Sequence, residues 1–173
     1  STMEYSGTKN TVGGTYPMTD PEMRDGFELS ETRHTLPMAL LRLRELVMAE
    51  FRPILSGHGV TEQQWRVMRV LFEVEEVTAS DLADRALILA PSLSRILKTL
   101  EARGFIDLGR SPGDGRRARI RLSDTGRAFI RSVSPESAAV YAKIGERIGA
   151  DRLEKLLTLL DQANTALDEN RTK

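Results

Sequence analysis

The stretch SPGDGRRARIRLSDTG, residues 111–126, places Arg116, Arg117, Arg119 and Arg121 directly behind a Pro-Gly-Asp-Gly turn. Guanidinium groups set this close together suit the recognition of phosphates and base edges, because a planar fork of donors matches both. They extend a basic zone. From Pro91 to Arg121 eight Lys and Arg stand against three Asp and Glu, although the 173-residue chain has 25 of each charge. The neutral total hides a local surface, and any electrostatic function belongs to that surface.

A second set of candidates lies just upstream on PSLSRILKTLEARG. With Leu93, Ile96, Leu97 and Leu100 on one helical stripe, the outward arc carries Ser94, Arg95, Lys98 and Ala102, flanked by Ser92 and Thr99. Short hydroxyl residues let a backbone approach a groove, Arg forks onto a guanine, and Lys neutralises a phosphate. An ordinary solvated helix face is the competing reading of that arc. For the arginine hairpin, the competing reading is a charged edge strand that discourages aggregation.

These residues need elements to hold them. FIDLGRS (105–111) and ARIRLS (118–123) read as strands joined through PGDG, a hairpin whose tip and one face are basic. Such a finger suits a narrow minor groove, with Asp114 steadying the rotamer of Arg116. Upstream, Thr61 and Gln64 have capping-box spacing and start a helix that runs to about Val74. Thr78 or Ser80 caps a short helix over 79–86, and Gly104 stops the helix that begins at Pro91. Two short helices joined by a tight turn and followed by a hairpin make a winged helix-turn-helix.

Flanking this head, LPMALLRLRELVMAEFRPIL (36–55) puts Leu40, Leu43, Val47, Phe51 and Ile54 on one stripe, widened by Leu41, Met48 and Leu55. So wide an apolar face calls for a second subunit as well as its own domain. After Ser123, helical sequence resumes, Pro135 marks a break or kink, and two more helices follow. The last carries Leu153, Leu156, Leu157, Leu160 and Leu167 as a seam for a partner helix. The expected fold is mainly α with a small β-hairpin wing and with N- and C-terminal dimerisation helices. Residues 1–30, polar and Gly-rich, read as a flexible N-terminal arm, part of it an expected tag remnant because the chain opens on Ser.

The composition excludes several classes. There are no cysteines, and His34 and His58 have no ligand spacing, so neither a catalytic thiolate nor a metal site is expected. No Gly-rich phosphate loop follows a strand and no nucleophile has an identifiable base, so neither an enzyme nor a cofactor is expected. No apolar run approaches the roughly 20 residues that span a bilayer. A soluble, cytoplasmic protein is the expectation.

The stretch from Thr61 to Ile130 resembles the winged core of the MarR family of bacterial transcription regulators. ASDLADRA is similar to its first motif helix, SLSRILKTLEARG to its recognition helix, Asp114-Gly-Arg116 to its wing signature, and RLSDTG to its strand-to-helix junction. LPMALLRLRE followed by FRPILSGHGVTEQQWRVMR is similar, more narrowly, to the branch that represses homoprotocatechuate and 4-hydroxyphenylacetate breakdown. The resemblance implies a MarR-type domain over 31–173, with its winged head at about 60–123 and dimerisation helices at about 34–57 and 124–170. It implies a homodimer on a pseudo-palindromic operator in double-stranded DNA, read by Ser92, Ser94, Arg95, Lys98 and Thr99 in the major groove and by Asp114, Arg116, Arg117 and Arg119 in the wing. It also implies release by a small aromatic acid. Two alternatives stay open: a winged-helix module for protein contacts, and a MarR-type regulator of stress or efflux without such a ligand.

An effector site has candidates of its own. Arg44 shares the arc of Leu40, Val47, Met48 and Phe51 and so projects inward. A charge there needs a partner: an acidic residue of another helix or subunit in the plain reading, an aromatic carboxylate in the sharper one. Trp65 packs on the ring in that case, with Gln64 beside it and Arg42 and Arg66 as lesser candidates.

Overall fold

A computed structural model of the chain describes residues 35–111 and 114–168, with backbone alone for 110, 111 and 114–118. The arm over 1–30 lies outside the described residues, as do the side chains of Asp114, Arg116 and Arg117. The chain divides into two units, residues 1–43 and 44–173, and the first helix begins in one and continues into the other.

Helix α1 (Leu36–Gly57) is followed by α2 (Glu62–Glu73), strand β1 (Val77–Thr78), α3 (Ala79–Ala86) and α4 (Ala90–Ala102). The wing strands β2 (Ile106–Ser111) and β3 (Asp114–Leu122) come next, then α5 (Asp124–Ile148) and α6 (Ala150–Asp168). The starts of three helices are chemical. Thr61 forms the expected capping box, its Oγ1 accepting from the Gln64 amide at 3.1 Å while its own amide donates to Gln64 Oε1 at 3.0 Å. Thr78, rather than Ser80, caps α3 through the Asp81 amide, and Ser123 caps α5 through that of Gly126. Gly104 follows α4 with φ +71°.

Leu93, Ile96, Leu97 and Leu100 of α4 are buried against Leu71 and Leu82, as their spacing predicts. Each fully buried aliphatic side chain contributes about 1.5–3 kcal/mol, so this one face fixes how α4 sits on α2 and α3. The sheet is antiparallel with order β1-β3-β2. β1 is an addition to the expected hairpin: two residues, Val77 opposite Ile120 and Thr78 opposite Arg119, are too short for any alternation to show in sequence. β3 also reaches back to Asp114 instead of starting near 118.

Two prolines lie inside helices, and the break expected at Pro135 does not occur. α1 continues through Pro53 to Gly57, and α5 runs unbroken through Pro135 from Asp124 to Ile148. A proline inside a helix removes one amide donor and orphans the carbonyl four residues earlier, here that of Ala49 and that of Arg131. Both prolines and the residues that carry the freed carbonyls, Ala49 and Arg131, are exposed, and at such positions solvent is the ordinary substitute donor.

The expected stripe of α1 is only partly covered. Phe51 and Leu55 are buried with Val60 against α5, whereas Leu40 and Leu41 are exposed, and so is Leu46. On α6 no residue is buried, and Leu157, Leu159 and Leu167 lie open. No helix among the described residues is long and apolar enough to cross a membrane.

Candidate nucleic-acid interface and adjoining cavity

α4 presents the expected arc. Ser94, Arg95, Lys98 and Thr99 are exposed and Ser92 is half-buried. Ser94 Oγ donates to the Ala90 carbonyl and Thr99 Oγ1 to that of Arg95, each at 3.2 Å, so both hydroxyls fold back on the helix and keep its face low. The side chains of Arg95 and Lys98 have no partner among the described residues.

Of the other cations of the basic zone, Arg103, Arg119 and Arg121 have described side chains. At the end of α4, Arg103 donates to the Gly59 carbonyl at 2.5 Å and stacks 4.5 Å over the Phe105 ring, tying α4 to the α1–α2 loop. Arg121 donates to Asp107 Oδ2 across the strand pair at 3.1 Å. Arg119 has a buried Nε that makes no hydrogen bond among the described residues. It sits at the wing base, paired through its backbone with Thr78, and its Nε faces Glu76 at 3.7 Å.

Beside this head lies a cavity of about 600 Å³. α2 contributes Glu62, Trp65, Arg66 and Arg69 to its lining, α5 contributes Ser134, Ser137, Ala138 and Tyr141, and Arg44, Met48 and Leu87 complete it. Three expected effector residues, Arg44, Trp65 and Arg66, thus converge on one space. Two do not. Gln64 is used by the capping box, and Arg42 is an exposed residue of the first unit.

The lining also corrects the orientation of Arg44, whose side chain is 45% exposed rather than directed into the interior. It belongs to a closed ring of alternating charge. Arg44 contacts Glu45 at 2.6 Å and Glu62 at 2.8 Å, and Arg52 contacts the same two carboxylates at 2.5 Å each. Hydrogen bonding from Arg52 holds the Glu45 carboxyl below its usual range. Burial raises the Glu62 carboxyl, but hydrogen bonds from Arg52 and Arg44 outweigh that and hold it low as well. The plain reading of Arg44, an ion pair between helices, is therefore realised. These carboxylates contribute at neutral pH and lose their effect as pH falls through their lowered values.

Arg66 donates from Nη1 to the carbonyls of Ala86 at 3.1 Å and Leu87 at 3.4 Å. Arg69 is held least: its carboxylate neighbour, Glu73, stands at 3.9 Å. Arg69 and Tyr141 were not singled out in the sequence. The available signal was spacing, since Arg69 follows Trp65 by four residues and so shares its face. Together the lining offers an indole face, guanidinium donors and exposed hydroxyls, a set that suits an aromatic anion.

The sequence profile of the MarR family matches residues 58–117. The homoprotocatechuate degradative operon repressor of Escherichia coli is 37% identical over 128 residues, 74% of this chain and 86% of that protein. The crystal structure of NadR in complex with 4-hydroxyphenylacetate superposes with a TM-score of 0.72 at 32% identity, over 78% of this chain and 98% of NadR. The repressor CouR, bound to a 23-mer DNA duplex, superposes with a TM-score of 0.71 at 27% identity, over 80% of this chain and 99% of CouR.

Proposed function

The chain belongs to the MarR family, and from that membership we propose that it acts in the cytoplasm as a dimeric, sequence-specific DNA-binding repressor released by a small aromatic carboxylate. The observation that carries the effector half is the cavity of about 600 Å³ beside the reading head, with Trp65 and three arginines in its wall. Its relatives are named as transcription regulators rather than enzymes. The resemblance to a repressor of homoprotocatechuate degradation favours control of an aromatic-acid catabolic operon. The likeness to NadR favours 4-hydroxyphenylacetate or homoprotocatechuate as the first effectors to try.

The anchoring residue is revised from Arg44 to Arg69. A carboxylate entering near Arg44 meets a guanidinium already closed by Glu45 and Glu62, and it is repelled by both. At Arg69 the standing competitor is a single glutamate at 3.9 Å, a weak surface pair. Trp65 stacks on the ring while Arg69 binds the carboxylate. Filling the cavity changes the separation of the two reading heads, which must match about one DNA turn.

A mobility-shift assay on DNA upstream of the protein's own gene, with and without either acid, tests this. Wild type is expected to bind and to be released. Arg69→Ala is expected to bind DNA normally and to need at least about tenfold more effector, since a charge-assisted bond of about 1.5–3 kcal/mol is lost. Arg44→Ala, whose guanidinium serves the ion ring, is expected to change release much less. Absence of binding even to random duplex at low salt would favour the protein-contact module instead, because a DNA reader retains weak non-specific affinity.

The dimer is proposed on the open leucines of α6 and of α1, which a monomer leaves in water. Light scattering at micromolar concentration is expected to give about twice the 19.3 kDa chain mass. A stable monomer would refute the architecture.

A further inference from the structure

We infer that Arg66 is the element through which occupancy of the cavity reaches the reading helix, by way of the carbonyls that end α3. The inference rests on the effector reading above and concerns how that same site acts.

Helix α3 ends in a tight double turn. The Leu87 amide donates to the Asp84 carbonyl at 3.2 Å and the Ile88 amide to that of Ala83 at 3.0 Å, which leaves the carbonyls of Ala86 and Leu87 to find donors elsewhere. Arg66 supplies them from α2 through Nη1. Leu87 holds the turn with φ +53° and ψ +51°, a left-handed conformation normally left to glycine, and two residues later Leu89 stands at the N-cap position of α4 without a side-chain cap bond. So the joint that sets α4 against α3 combines an unfavourable backbone conformation with an arginine bridge.

Both parts of this joint are also cavity wall, for Arg66 and Leu87 line the same space as Trp65 and Arg69. Leu87 is 82% exposed, so its side chain adds little to the core that would hold the turn by itself. A carboxylate bound beside Trp65 competes with two neutral carbonyls for the Arg66 guanidinium, and a full negative charge is the stronger acceptor. Once Arg66 turns to the ligand, the Ala86 and Leu87 carbonyls lose their donor and the joint loosens. The reading helix then departs from its DNA-competent position. By linkage, DNA that holds α4 in place keeps Arg66 on the carbonyls and weakens the ligand by the same factor.

The test uses the full chain, its operator, and 4-hydroxyphenylacetate as probe, with Trp65, the single tryptophan, reporting binding by fluorescence. In wild type the probe is expected to quench Trp65 and to lower operator affinity about tenfold or more, within the usual span of allosteric coupling. Arg66→Gln is expected to bind the operator several-fold more weakly without probe. At saturating probe it still shows quenching, but a further loss of affinity of less than about twofold. Amide exchange at Leu87 and Ile88 should quicken in this variant without probe, as it does in wild type with probe. Arg66→Lys, which keeps a donor on a flexible stem, should restore part of both operator affinity and response. Should Arg66→Gln be quenched and released as wild type is, with unchanged exchange at the turn, Arg66 is no transmitter and the effector reading survives. Should wild type show neither quenching nor release, the effector reading fails and the inference falls with it.

Discussion

Gly126→Ala is expected to lower the melting temperature by about 6–12 °C, from a cost of roughly 3 kcal/mol at about 2–4 °C per kcal/mol for a chain of this size. A Cβ at this position would stand 2.1 Å from the Phe105 carbonyl oxygen and 2.9 Å from Leu122 Cδ1. The first neighbour is backbone and cannot rotate away. Nor can α5 retreat easily, because its first turn is fastened at several points. Ser123 Oγ accepts from the Gly126 amide and donates to the Gly104 carbonyl at 2.6 Å, and the Ser123 amide donates to the Phe105 carbonyl at 3.0 Å. Gly145→Ala is the control on the same helix, where an added Cβ meets nothing within 4 Å. Relief of backbone entropy should make that change neutral or stabilising by about 0.4–1 kcal/mol. If both variants melt alike, the close approach of α5 to the end of α4 carries no stability. The functional cost of Gly126→Ala should follow its stability cost, since this junction sets the wing against the reading helix.

The same junction shows what was legible in the sequence. RLSDTG was readable as a strand-to-helix change, whereas the cap at Ser123 and the close approach of two backbones at Gly126 belong to the packed chain. The head over 61–104 was more fully legible, since Thr61 and Gly104 each mark an element boundary by local chemistry, Thr78 was one of two candidate caps, and the α4 stripe has one possible inside. Elements whose limits depend on surroundings were less legible. Pro53 and Pro135 stay within helices at exposed positions, and that exposure is a property of the packed chain. At the cavity, Trp65 and Arg66 were found by type and spacing, but the direction of Arg44 was not. Its partner Glu62 lies eighteen residues away, and only the packing of α1 on α2 brings the pair together. Arg119 is a similar case in the wing, where a two-residue strand sets Thr78 opposite it and the loop before that strand brings Glu76 near.

Arg95→Ala is expected to produce the largest loss of operator affinity of any single exposed residue. Of the basic residues from Pro91 to Arg121 whose side chains are described, Arg119 stands 3.7 Å from Glu76 with no hydrogen bond at Nε, while Arg103 and Arg121 already answer to carbonyl, carboxylate or ring partners. Arg95 and Lys98 do not. Both stand on the arc opposite Leu93, Ile96, Leu97 and Leu100, whose burial leaves α4 no freedom to turn that arc away. A bidentate contact to a base is worth about 1–3 kcal/mol, and a dimer on a two-fold site loses it twice, so affinity should fall by about 2–6 kcal/mol, from some thirtyfold to beyond ten-thousandfold. Lys98→Ala should act differently. A phosphate contact carries no sequence information, so its loss should weaken all duplexes alike and flatten the salt dependence by about one unit of slope per contact. Anisotropy titrations of both variants against operators with single base changes, at several salt concentrations, separate the two roles. Arg121→Ala, whose guanidinium is spent on Asp107, serves as the control for loss of charge in general. Equal losses for Arg95→Ala and Arg121→Ala, with sequence preference intact, would reduce the α4 arc to a solvated surface and move the reading of bases to another part of the molecule.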